Sequence, residues 1–195
     1  MKKPLKKVII LTGPSGAGKS EAARLLARKG FRLLKGDEIA RGLYAPGKPL
    51  ARALFKAFGP EMFRGARLNR AKLGALVFSN PPALKRLNGL LHPALIRAIQ
   101  KRLVALPRAV VDMAVYFSAG APSFGGAKVL LLDAPLKLRL ARLAVRYGDA
   151  ERARRQAGAL KFGPRERGRC DAVIVNSGTR AALKRALDQA LSQLL

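Results

Sequence analysis

The stretch Lys7-Val-Ile-Ile-Leu-Thr12-Gly13-Pro-Ser15-Gly16-Ala17-Gly18-Lys19-Ser20 decides how the chain is read. Its first half is a run of branched aliphatic residues, the composition of a short buried strand. Its second half is a complete G-x-x-x-x-G-K-S, and residues 19–29 behind it carry a helical pattern stopped by Gly30. Strand, glycine-rich loop and helix in that order form the setting in which this motif cradles phosphate. The glycines let successive N–H groups turn inward, and the helix N-terminus adds partial positive charge. Gly13, Ser15, Gly16, Ala17 and Gly18 are therefore candidate contacts to a phosphate chain, with Glu21 next along the helix start. Lys19 is placed to reach β- and γ-phosphates, and Ser20 offers a hydroxyl to Mg²⁺.

Working outward, apolar runs at residues 31–34, 109–114, 128–133 and 172–175 read as further buried strands. Helical patterns lie between and after them, at 135–147, stopped by Gly148, and at 180–194. This alternation predicts an α/β fold, a five-stranded parallel sheet flanked by helices, as one domain over residues 1–195. Residues 45–106 read as a helical insertion, because helical periodicity runs through them with almost no strand signal. Asn80-Pro81-Pro82 is a helix start, and His92-Pro93 is expected to open another helix that runs to residue 106. Residues 149–169, rich in arginine and broken by Gly158, Gly163 and Pro164, read as a lid with too little apolar content for core.

A metal beside the phosphates needs a carboxylate at the end of a neighbouring strand. Asp112 closes one such strand and is favoured; Asp133 closes another but stands just before a helix, where an N-cap role is more economical. A nucleophile needs a group to orient or deprotonate it. Asp37, just past the strand at 31–34, would lie at the strand ends where parallel sheets gather their ligands, with a helix N-cap as its competing role.

Composition narrows the classes. With 49% hydrophobic residues in 195, the chain can bury a core, and no apolar run approaches the roughly 20 residues of a membrane helix. The basic start and residues 8–11 imitate a secretory signal, but that apolar core is too short, so a cytoplasmic protein is expected. Cys170 is the only cysteine and His92 the only histidine, which excludes an internal disulfide and a closed zinc site built from these residue types. Packing is the simpler role for His92, and a half-buried thiol for Cys170. Lys and Arg number 39 against 11 Asp and Glu, a net +28, so polyanions are attracted. Only 6% of the residues are aromatic and none is Trp, which argues against a specific nucleic-acid platform. With no heptad repeat, a monomer or small homo-oligomer is expected.

Beyond the phosphate loop, the succession of motifs resembles the dephospho-coenzyme A kinases, P-loop enzymes that use ATP to phosphorylate the ribose 3′-hydroxyl of dephospho-coenzyme A. Gly36-Asp37-Glu38-Ile39-Ala40-Arg41 is similar to the family's Asp-Ala-Asp-x-Ile-Ala-Arg segment. Arg70-Ala-Lys-Leu73 and Leu91-His92-Pro93-Ala-Leu-Ile-Arg97 follow in the family's order, as do Val111-Asp112 and Asp133-Ala-Pro135. The resemblance implies that Asp37 is catalytic base and substrate contact, with Arg41, His92 and Asp112 on the substrate side, and that residues 45–106 bind coenzyme A. It places Arg142 and Arg146 on a basic helix before the lid, Arg142 as a catalytic and ATP-binding residue, and Asn176 as a nucleotide contact. ATP and Mg²⁺ are the implied cofactors, ATP and dephospho-coenzyme A the implied partners, without specific nucleic acid or membrane. Lys35, Glu21, Ala114 and Ser118 depart from the family's Asp, Thr, Pro and Glu. These departures keep a kinase for another nucleoside or nucleotide open as an alternative, and the charge keeps open a basic P-loop protein that binds nucleic acid.

Overall fold

Five parallel strands carry the structure, a computed structural model that describes residues 7–160 and 162–195. Residues 1–6, the basic start that imitates a signal, and Lys161 of the expected lid lie outside the described residues. The sheet strands are β1 (Lys7–Thr12), β2 (Arg32–Lys35), β5 (Arg108–Asp112), β6 (Lys128–Asp133) and β7 (Ala172–Val175), in the order β2-β5-β1-β6-β7. β1 is central: Leu11 stands opposite Asp112 of β5 on one side and Leu130 of β6 on the other. This is why its residues are apolar without alternation, as both faces are covered. α1 (Lys19–Arg28) and α9 (Arg180–Leu194) pack on one face, where Ile9, Leu11, Leu26, Leu130, Leu132 and Leu187 form a core. Truncating a side chain as enclosed as Leu26 to Ala costs about 2–5 kcal/mol.

The chain divides into two compact units, one comprising the described residues up to Leu34 with Ala105–Leu195, the other Lys35–Val104. The second holds α2 (Gly36–Leu43), α3 (Pro49–Phe58), α4 (Arg70–Ser79), α5 (Pro81–Leu103) and a small hairpin of β3 (Phe63–Arg64) and β4 (Arg67–Leu68). Two residues per strand are too few to show an alternating pattern, so the hairpin has no sequence signal. Leu50, Leu54, Phe58, Leu73 and Val77 make this unit's own core. In the first unit, α6 (Leu136–Tyr147), α7 (Ala150–Gly158) and α8 (Pro164–Arg167) follow β6.

The sequence reading of the elements needs four corrections. His92-Pro93 opens no helix, because α5 runs unbroken from Pro81 to Leu103 with Pro93 inside it. Proline removes one N–H and crowds the carbonyl of Gly89 four residues back, but the buried stripe of His92, Leu95, Ile99 and Leu103 holds the helix in place. The second strand starts one residue late because Phe31 N–H closes the end of α1 on Leu26 O at 3.3 Å. The strand at 109–114 ends at Asp112. The 149–169 segment is not devoid of core: Ala153 and Ala157 of α7 are buried against Leu143 of α6. Asn80 caps α5 as expected, its side chain accepting from Ala83 N at 3.0 Å, and Gly148 closes α6 at φ 64°.

Candidate active site

β1 feeds directly into the loop, and the loop lies tight against β6. Gly13 sits at φ 137°, and a Cβ there would stand 1.9 Å from the carbonyl oxygen of Leu132, so no other residue fits. Gly18 is the N-cap of α1 at φ 101°, and a Cβ there would meet Asn176 Nδ2 at 2.4 Å. With glycine as cap, no side chain closes the helix N-terminus, which leaves its first N–H groups facing outward as an anion site.

Side chains hold the loop from its other side. Lys19 Nζ donates to Gly13 O at 2.7 Å and Pro14 O at 3.0 Å. Arg142 Nη1 donates to Gly16 O at 3.2 Å, and its Nη2 to Asn176 O at 3.3 Å. Asn176 is buried; its Nδ2 donates to Ala17 O at 2.8 Å and its backbone N–H to Asp133 O at 2.7 Å. Its side chain thus faces the loop backbone, where the family resemblance gives a nucleotide contact. Arg139, absent from the sequence reading, donates from Nε to Ser15 O at 3.0 Å and from Nη2 to Ala157 O of α7. Its spacing, one helical turn before Arg142, was the available signal. Arg139, Pro14, Leu140, Ala157 and Phe162 line a cavity of about 490 Å³ beside the loop.

Ser20 is exposed in the first turn of α1, and Asp112 is half-buried at the end of β5 beside Leu11. Asp133 is not a helix N-cap, because α6 starts at Leu136 with Pro135 as its cap, and an N-cap must be the residue next to the first turn. Instead its Oδ1 accepts from Ala134 N at 2.8 Å and its Oδ2 pairs with Arg167. Glu21 turns its carboxylate to Arg180 at 2.5 Å and Arg24 at 2.8 Å, and these two guanidinium bonds hold it below the usual carboxylate range. Among the described residues, no group of three or more His, Cys, Asp and Glu stands together to hold a metal. Mg²⁺ does not require one, since it takes one or two protein oxygens and completes its shell from phosphates and water. Ser20 and Asp112 supply oxygen donors of that kind.

The second unit carries Asp37, Arg41 and His92. α2 starts at Gly36 with Lys35 as its N-cap, so Asp37 is not the cap. It lies exposed in the first turn, two residues past β2, and its carbonyl accepts from Arg41 Nε at 3.1 Å. Lys35, which departs from the family pattern, is ion-paired with Glu38 at 2.7 Å. His92 is buried on α5, and burial lowers its pKa. No described helix is long and apolar enough to cross a membrane.

Comparison with known proteins agrees with this geometry. The family model described as Dephospho-CoA kinase matches residues 7–182. The chain is 39% identical over 191 residues to a dephospho-CoA kinase of Deinococcus radiodurans, covering 94% of this chain and 90% of that one. It is 34% identical over 190 residues to that of Geobacillus kaustophilus, covering 94% of both. Among solved structures, TT1252 from Thermus thermophilus superposes with a TM-score of 0.81 at 31% identity, over 98% of this chain and 99% of that one. The chain belongs to the dephospho-CoA kinase family.

Proposed function

We propose that the chain transfers the γ-phosphoryl group of ATP to the 3′-hydroxyl of dephospho-coenzyme A, the last step of coenzyme A biosynthesis. The observation that carries this reading is the phosphate loop, its glycines fixed against β6 and its helix N-terminus uncapped, in a chain that matches the family from residue 7 to residue 182. In the reaction the ribose oxygen attacks the γ-phosphorus, the bond to the β–γ bridging oxygen breaks, and ADP leaves. Asp37 takes the proton of the attacking hydroxyl and orients it. Lys19 exchanges the loop carbonyls it now holds for β- and γ-phosphate oxygens, so its charge serves the transferring group. Ser20 and Asp112 would hold Mg²⁺, which offsets charge on the phosphate oxygens. Arg142 stands against the loop at Gly16, at the ATP side of the reaction. Residues 45–106, with Arg41 and His92, bind the acceptor, and residues 149–169 form a lid over ATP. An ATP-consuming step of this kind belongs in the cytoplasm.

An acceptor panel tests the reading. ADP release is followed with dephospho-coenzyme A, adenosine and AMP supplied separately, beside Lys19→Ala and Asp37→Asn. Turnover is expected with dephospho-coenzyme A alone, and both variants should lose about 100-fold or more in kcat/KM. Turnover on adenosine or AMP instead would move the assignment to another kinase.

A further inference from the structure

Five consecutive carbonyls of the loop, Gly13 to Ala17, each accept a hydrogen bond from a side chain. Lys19 serves the first two, Arg139 the third, Arg142 the fourth and Asn176 the fifth. A trans peptide is planar, so each carbonyl held on one side directs the following N–H to the other. Holding Ser15 O therefore aims the Gly16 amide, and holding Ala17 O aims the Gly18 amide. Lys19 has a second task at the phosphates, and once it leaves, the set of the loop rests on Arg139, Arg142 and Asn176.

Arg139 differs from the other two in what its second arm does. While Nε holds Ser15 O, Nη2 holds Ala157 O in the last turn of α7. The last carbonyls of a helix have no partner within it, so this arm satisfies an otherwise open helix end. The guanidinium is half-buried, and burial lowers its pKa while nearby Asp133 opposes that shift. One planar group with fixed donors thus locks two backbone segments of the same unit together.

We propose that Arg139 is a positioning residue for ATP: through the Ser15 carbonyl it holds the phosphate-binding amides in place, with α7 as the anchor of its other arm. This rests on the reading that ATP occupies the loop. It acts through the loop backbone, so its loss should weaken ATP and leave the acceptor alone.

The test measures KM for ATP and for dephospho-coenzyme A, and equilibrium binding of a fluorescent ATP analogue, in the full chain and in Arg139→Ala, Arg139→Lys and Lys137→Ala. Lys137 is exposed on the same helix and controls for the lost charge. Arg139→Ala should raise the ATP KM and the analogue's Kd about tenfold or more, leave the dephospho-coenzyme A KM within about twofold, and recover in part with added methylguanidinium. Arg139→Lys keeps the charge without the fork and should fall between the two. Lys137→Ala should match the parent. Unchanged ATP KM and Kd in Arg139→Ala would overturn the proposal. So would a rise in both KM values together with a lower Tm that methylguanidinium does not correct. If the parent fails to phosphorylate dephospho-coenzyme A while analogue binding still depends on Arg139, only the acceptor assignment falls.

Discussion

Replacing Gly13 with Ala tests how the loop is seated. A Cβ at this position would lie 1.9 Å from Leu132 O, where real Cβ atoms do not approach within 3.0 Å, so β6 and the loop must part by about 1.1 Å. Neither side gives way cheaply. Leu132 is fully buried in β6, paired with Ile174 of β7, and Gly13 follows directly on β1, which is hydrogen-bonded on both edges. The backbone angle adds to this, since φ 137° is disfavoured for a residue with a Cβ. Together, overpacking and backbone strain should cost about 3–5 kcal/mol. The matched control is Gly148→Ala, where φ is 64° but no atom lies within 4 Å of the added Cβ, so strain alone acts and the cost is about 1–2 kcal/mol. For a chain of this size each kcal/mol moves Tm by roughly 2–4 °C. Thermal unfolding and ATP turnover are measured on both variants. Gly13→Ala should lose about 10 °C or more and, through a loop displaced by about 1 Å, about 100-fold in kcat/KM; Gly148→Ala should keep its activity within about twofold. Equal losses in the two variants would refute the claim that the contact with β6, rather than the backbone angle, fixes the loop.

Burial favours the neutral imidazole of His92, so its folded pKa lies below the ordinary value and the unfolded chain binds the proton first on acidification. The stability it contributes is present above about pH 6.5 and is lost as pH falls through the lowered folded value. Urea midpoints for the parent should fall over that range, and His92→Gln should flatten the fall; an identical slope in the two would contradict it. The Cys170 thiol is pushed up to about 11 by burial first and the neighbouring Asp171 second. At about pH 8, alkylation by iodoacetamide should therefore run on the order of tenfold slower than for a free thiol, and a rate equal to that of glutathione would overturn the assignment.

The centre of the sheet was readable because β1, β5 and β6 are buried on both faces, while the edge strands β2 and β7 stay partly exposed and rest on shorter aliphatic runs. Unbroken aliphatic runs such as 128–133 mark themselves, and glycines at 30 and 148 mark where the helices between them stop. The phosphate loop was readable for a related reason: Gly13 and Gly18 stand where a Cβ would strike Leu132 O or Asn176, so the motif's spacing records a backbone path. What failed depends on contacts between distant segments. Pro93 reads as a break, but the packed stripe of α5 overrides it. Asp133 reads as a cap because Pro135 follows, while its partner Arg167 lies 34 residues on and carries no local sign. Arg139 reaches the loop from 124 residues away with only its one-turn spacing before Arg142 as a local sign, and Asn176, 159 residues away, was legible through the family resemblance rather than through any local pattern.

The most direct measurement is the mass of the product formed when the full chain is incubated with MgATP and dephospho-coenzyme A. Conversion to a species heavier by one phosphoryl group, co-eluting with coenzyme A and absent in Lys19→Ala, is the expected result. Recovery of unmodified dephospho-coenzyme A under conditions where the parent chain binds ATP would contradict the assignment.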